Sequence, residues 1–166
     1  MRILSCLFAL AAACLVSAAE SAPNAVEQQV LDAVKSPKVT IVHLWAPWCS
    51  NCKAELSHGG WSSFLSANPD VNVIFVTVWK GEGSDGRALL EQNGLGSQPN
   101  FQLLVHPNGS RKKAERMTEF LGQPVSWIPS TWVFREGTLR YALNYGELRF
   151  PMLQQLVRDS SDSWEH

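Results

Sequence analysis

Cysteine is scarce in these 166 residues: only four occur, and two of them, Cys6 and Cys14, sit at the very start. What remains is Cys49 and Cys52, a pair separated by two residues. A disulfide-stapled scaffold needs more cysteines at wider separations, so that class is excluded. Closing so short a loop restricts the unfolded chain little, which makes the pair a poor device for stability. No second C-x-x-C and no H-x-x-x-H accompanies it, so a structural zinc site would be short of ligands. Charge of one sign is lacking as well: 14 Lys and Arg face 15 Asp and Glu, for a net charge of −1. The mixing of signs gives no basic patch for nucleic acid and no basic amphipathic helix for a membrane surface. Internal repeats, low-complexity tracts and interdomain linkers are absent too. Long apolar runs are missing in the same way, for none reaches the roughly 20 residues of a membrane-spanning helix.

The one apolar stretch worth naming opens the chain. Residues 1–19 read MRILSCLFALAAACLVSAA, with Arg2 as their only charge and small residues at their end. That order matches a secretory signal, and cleavage is expected after Ala18 or Ala19. The expectation is therefore an exported product, periplasmic or in an equivalent space. A retained anchor is the lesser alternative, as is a lipoprotein attached through Cys14, whose Ala11-Ala12-Ala13-Cys14 lacks the usual leading leucine. The remaining ~145 residues suffice for one domain with a real core, expected over residues 20–158, with 159–166 as a polar tail.

Apolar periodicity divides that domain. Residues 24–34 read as a helix capped by Asn24, with Glu27 in capping-box position and Val26, Val30 and Val34 on one face. Val39 to Trp45 and Val71 to Trp79 are β-branched, apolar runs of the kind buried on both faces of a sheet. Cys49 to Ala67 lies between them as a helix interrupted at Gly59-Gly60, so the three form a βαβ unit with parallel strands. After a Gly-rich loop over Lys80 to Asp85, a short helix is expected at Ala88 to Asn93 and a strand at Phe101 to Val105. Residues 110–121 are expected to form a charged helix with Met117, Phe120 and Leu121 inward, its Arg111-Lys112-Lys113 simply solvated. Strands at Thr131 to Phe134 and Leu139 to Asn144 are joined by a Glu136-Gly137 hairpin turn. A last helix runs from about Glu147 to Val157, and the whole is α/β.

The chemistry is concentrated in Trp45-Ala46-Pro47-Trp48-Cys49-Ser50-Asn51-Cys52-Lys53. A C-x-x-C where a buried strand hands over to a helix reads as a redox site. Free N–H groups and the helix dipole at that point favour a thiolate on Cys49. Cys52 lies nearly one turn further on, roughly on the same face, and can close a disulfide. Cys49 is then the attacking thiol and Cys52 the resolving one. Trp48 is placed to cover the thiols and meet substrate, while Trp45 belongs to the core. Trp127 could face substrate or pack inside. His43, six residues before Cys49, is either a proton carrier for Cys52 or a strand histidine satisfied by a backbone group. Lys53 and Glu55 read first as solvated helix residues, Glu55 with some scope for proton transfer.

The segment WAPWCSNCK resembles the thioredoxin signature W-[AC]-x-W-C-x-x-C-K, differing at Ser50-Asn51 between the cysteines. Ile128-Pro129-Ser130-Thr131 is similar to the family's cis-proline loop, and the resemblance spans nearly all of residues 25–158. A helix and strand added over about 82–105, with Cys-Lys-Ala-Glu-Leu at 52–56, look like the exported TlpA and ResA branch. The resemblance implies a mixed central sheet flanked by helices and disulfide exchange with protein substrates. It also implies that Pro129 is cis and that Ile128 offers backbone groups to an extended substrate segment. Neither metal nor organic cofactor is required, but a redox partner, expected in the membrane, must reset the pair, and reduction is the favoured direction. The rival from another class is a binding module holding copper(I) or zinc through the two thiolates. A thiol peroxidase fits less well, since its cysteine follows a P-x-x-x-[ST]-x-x-C pattern that Pro47 and Cys49 do not satisfy.

Overall fold

The computed structural model describes residues 22–144 and 148–161; the signal segment expected over 1–19, Glu147 and residues 162–166 lie outside them. Helix α1 spans Ala25–Val34, and the Asn24 side chain accepts from the N–H groups of Val26 and Glu27 while Glu27 returns a bond to the Asn24 backbone. This reciprocal cap fixes the start of α1 and turns Val30 and Val34 into the core. Strand β1, Thr40–Trp45, is buried at all six positions, as a strand covered on both faces should be.

Helix α2, Ser50–Leu56, follows β1 directly, and a 3-10 turn at Ser57–Gly59 joins it to α3, Gly60–Ala67. The break falls where His58 and Gly59 both adopt positive φ, 58° and 70°, one residue ahead of the expected Gly59-Gly60 interruption. Strand β2, Asn72–Thr77, pairs in parallel with β1, which completes the βαβ unit. Helix α4, Arg87–Gln92, and strand β3, Phe101–Val105, supply the added helix and strand, with β3 parallel to β2 at one edge of the sheet.

The helix expected over residues 110–121 does not form. In its place is a loop with a single helical turn, closed where the Arg116 N–H donates to Lys112 O at 2.9 Å. A two-residue hairpin follows, β4 at Glu119–Phe120 and β5 at Gln123–Pro124. Two local forces explain the difference. Ser110 N–H bonds the Asn108 carboxamide, the Asn108 amide caps Glu115 O, and Ser110 Oγ takes Lys112 N–H, all of which compete with helix extension. Leu121 and Gly122 then take positive φ, 51° and 71°, and fold the chain into the hairpin. The Glu27 carboxylate holds that turn by accepting from Leu121 N–H at 3.2 Å. Met117 and Phe120 are still buried, so the inward pattern was sound and the period was not.

Strands β6, Ser130–Arg135, and β7, Thr138–Leu143, form an antiparallel hairpin, turned at Glu136 and Gly137 with φ of 51° and 79°. The sheet order is β3-β2-β1-β6-β7, with β6 antiparallel to β1. Helix α5 spans Phe150–Ser161 and buries Leu153, Val157 and Ser160, so it outruns its expected end at Val157.

Candidate active site

Topology decides where the chemistry gathers. Strands β1 and β2 run in parallel and end at Trp45 and Thr77, while β6 runs the other way and begins at Ser130. The segments after β1, after β2 and before β6 therefore meet at one end of the sheet. They bring Cys49, Trp79 and Ile128 together from three distant parts of the chain.

Cys49 is the N-cap of α2, and its sulfur accepts the Cys52 N–H at 3.3 Å. The Cys49 thiol also faces the Ile128 carbonyl, 3.8 Å away, and the Ile128–Pro129 peptide bond is cis. Both cysteines are free thiols, Cys49 at 7% exposure and Cys52 at 1%. The order of access is the one expected from the first turn of a helix. Burial pushes the Cys52 thiol far above its ordinary range; the bond with Cys49 and the nearby Glu55 carboxylate push the same way, and the Ala46 backbone opposes them.

Beneath the thiols lies a buried acid–base pair. Glu55 is 2% exposed, not a solvated helix residue as expected, because α2 turns this face toward the core. One of its oxygens accepts from Leu148 N–H at 2.8 Å and the other lies 3.3 Å from His43 Nε2. His43 Nδ1 meets the Thr131 hydroxyl at 2.9 Å, so the ring is satisfied by side chains and not by the backbone group expected. Phe75 and Trp61 close around the imidazole at 4.4 and 4.9 Å between ring centroids. In that enclosure burial lowers the His43 pKa to about 3. The carboxylate would favour a charged ring, but desolvating two ions in an apolar core outweighs one contact, and the neutral imidazole wins.

The rim is aromatic and cationic. Trp48 and Trp127 are 42% and 50% exposed on either side of Cys49, so Trp127 faces outward. Trp48 Nε1 donates to Trp79 O at 2.7 Å, and Trp79 Nε1 donates to Met117 O at 2.8 Å. Trp79 takes φ of 49°, a costly conformation for a bulky residue, and these two bonds hold it there. The guanidinium of Arg111 stacks on Trp48 at 4.0 Å and that of Arg116 on Trp79 at 4.3 Å. Trp79 and Arg116 were not singled out in the sequence, and Arg111 was read with Lys112 and Lys113 as simply solvated. The cations were legible only as a cluster, and the helix expected around them left them in solvent. Lys53 is exposed and Trp45 fully buried, both as expected.

A cavity of about 270 Å³ opens beside Cys49, lined by Trp48, Trp79, Arg116, Trp127 and Ile128 among others. A larger hollow of about 780 Å³ lies at the opposite end of the sheet, by Val39, Val71 and Arg135, far from the thiols. Among the described residues no group of three or more His, Cys, Asp or Glu is placed to hold a metal.

No protein-family model matches the chain, and no curated protein matches it. Solved structures do. A secreted disulfide oxidoreductase of Mycobacterium tuberculosis, homologous to E. coli DsbE, aligns over 76% of this chain and 85% of its own, with 21% identity and a TM-score of 0.55. A DsbF homologue from Corynebacterium diphtheriae covers 76% of this chain and 74% of its own, at 18% identity and a TM-score of 0.56. A thioredoxin-like protein from Porphyromonas gingivalis covers 79% and 80%, at 23% identity and a TM-score of 0.53. The chain has the thioredoxin fold that its cysteine motif implied.

Proposed function

We propose that this protein is a thiol–disulfide oxidoreductase acting on protein substrates through Cys49 and Cys52. The observation that carries the reading is the position of the Cys49 sulfur. It caps α2, accepts the Cys52 N–H and faces the backbone of a cis-proline loop. A negative sulfur gains at such a helix start, and the cavity beside it leaves room for an attacking geometry.

In the reductive direction the Cys49 thiolate attacks one sulfur of a substrate disulfide. That bond breaks, a mixed disulfide forms, and the first substrate thiolate leaves and takes a proton. Cys52 then gives up its proton and attacks the Cys49 sulfur, releasing the second substrate thiol and leaving the Cys49–Cys52 disulfide. Two electrons have moved to the substrate, and a dithiol partner must return them. Trp48, Ile128 and Pro129 hold the substrate segment: the indole flanks it and the Ile128 backbone pairs with it. The reductive direction, export by a cleaved signal and a membrane redox partner belong to the same reading. Of these, export is supported by the apolar start of the chain and by the secreted Mycobacterium tuberculosis neighbour.

The test is reduction of insulin with a dithiol as electron source. Cys49→Ser is expected to abolish turnover, and Cys52→Ser to accumulate a mixed disulfide visible by mass spectrometry, since attack survives and resolution does not. Undiminished turnover by Cys49→Ser would remove the assignment.

A further inference from the structure

The segment between β3 and β6 carries Arg111 and Arg116 onto the two tryptophans that border the attacking thiol. Stacking uses the flat face of a guanidinium and leaves its N–H groups, which lie in the plane, free to bond elsewhere. Neither arginine forms an ion pair among the described residues, and the buried Nε of Arg116 has no hydrogen-bond partner there. Of the two acids in their own segment, Glu115 is already taken by Ser110 and Lys112, and Glu119 forms no ion pair with either arginine among the described residues. Arg116 lines the cavity beside Cys49. Arg111 and Lys80 line an adjoining hollow of about 420 Å³ on the other side of Trp48, where Glu82 is the only acid. Three cations against one carboxylate thus surround the approach to the sulfur. The ring contacts restrain both side chains before any ligand arrives, which lowers the ordering cost of binding.

We infer that Arg111 and Arg116 select substrate segments with aspartate or glutamate beside the disulfide cysteine. This deepens the oxidoreductase reading and rests on it. A guanidinium edge suits a carboxylate because two parallel N–H bonds can be made at once. A substrate cysteine held against Cys49 and Ile128 places its immediate neighbours over Trp48 and Trp127. The carboxylate of such a neighbour then reaches Arg116 on one side or Arg111 on the other. A basic neighbour would meet uncompensated like charge there, so the same pair both attracts and rejects.

The experiment mixes the reduced protein with three peptides that each hold one internal disulfide. They differ only in carrying glutamate, glutamine or lysine next to the first cysteine. Rate constants for peptide reduction are read by acid quench and chromatography. Each is divided by the rate with a neutral small dithiol, which removes the peptide's intrinsic reactivity. The glutamate peptide is expected to outrun the lysine peptide by about tenfold at low salt, with the ratio shrinking as screening grows. In the Arg111→Gln/Arg116→Gln double variant the ratio should fall to within about twofold of one. Because the ratio is internal to each variant, a loss of folded protein does not move it. Lys113→Gln, in the same segment but lining neither hollow, should keep the parent ratio. Equal rates for the parent protein, or a preference that survives in the double variant, would overturn the inference while leaving disulfide exchange intact. No reaction with any peptide would overturn the exchange reading and this one together.

Discussion

The thiol to which the proposed exchange gives the second attack is the one the fold makes hardest to ionise. Cys52 is 1% exposed, and its burial, its bond with Cys49 and the Glu55 charge all hold the proton on sulfur. On the proposed exchange, that leaves the resolving step in need of a base. In that reading Glu55, one turn beyond Cys52 in α2, takes the proton and becomes neutral beside the His43 ring. His43 Nδ1 is hydrogen-bonded to the Thr131 hydroxyl and Nε2 lies 3.3 Å from one Glu55 oxygen, so a proton taken by Glu55 turns a buried carboxylate beside a neutral imidazole into a neutral acid. Glu55→Gln keeps the shape and the Leu148 bond but cannot accept that proton. Its mixed disulfide is expected to persist about 100-fold longer, in line with the loss of a general base. His43→Asn should lengthen it less and change how its decay depends on pH. Rapid quench of the mixed disulfide at several pH values measures both, and wild-type decay in Glu55→Gln would remove Glu55 from the step.

Among the elements, one tight joint lies between the loop after β2 and the end of β1. Gly86 has φ of 90°, and a Cβ added there would lie 2.5 Å from the Trp45 ring and 2.9 Å from the Pro47 ring. Trp45 is fully buried and belongs to the strand that ends at the active site, so it cannot give way cheaply. Gly86→Ala is therefore expected to cost about 2–4 kcal/mol, from left-handed backbone strain together with overpacking. Urea unfolding measures it, and a change below about 0.5 kcal/mol would mean the joint is loose. What the sequence told of these elements follows from the range of the forces that make them. The α1 cap, the strands β1 and β2 and the Glu136-Gly137 turn depend on neighbours a few residues away, and all were legible. So was Cys49 at the start of α2, because a strand followed by Pro47 must hand over there. The loop at 110–116 combines the local bonds of Asn108 and Ser110 with contacts to Trp48 and Trp79, residues more than thirty positions earlier in the chain, while the charge pattern alone suggested a helix. Glu55 was misjudged for the same reason. Its partners, His43 and Leu148, approach from β1 and from the stretch before α5, and nothing in the α2 sequence announces either.

At the scale of the molecule, the burial of His43 sets a limit on where the fold is stable. His43 sits in the central strand, enclosed by Phe75 and Trp61, and its folded-state pKa is lowered to about 3 from an ordinary 6.5. Above pH 6.5 the imidazole is neutral in both folded and unfolded chains, so it adds no pH dependence. Below it the unfolded chain takes up a proton that the folded one refuses, and unfolding gains. The loss of stability grows as pH falls from 6.5 towards 3 and levels off below that window. Its slope is at most about 1.4 kcal/mol per pH unit for one group, or about 2 kcal/mol by pH 5. Against a typical total of 5–15 kcal/mol for a domain, that is a visible share. The neighbours bear on the sign. Glu55, at 3.3 Å, is the acid in contact with the ring, and Thr131 on its other side carries no charge. If Glu55 held His43 protonated instead, stability would improve on acidification through the same window. The measurement compares urea midpoints at pH 7 and pH 5 for the parent protein and for His43→Asn. The parent is expected to lose about 2 kcal/mol more than the variant between those pH values. An equal or smaller loss in the parent would mean that the core holds a charged imidazolium–carboxylate pair, and the neutral imidazole beside Glu55 in the resolving step would fall with it.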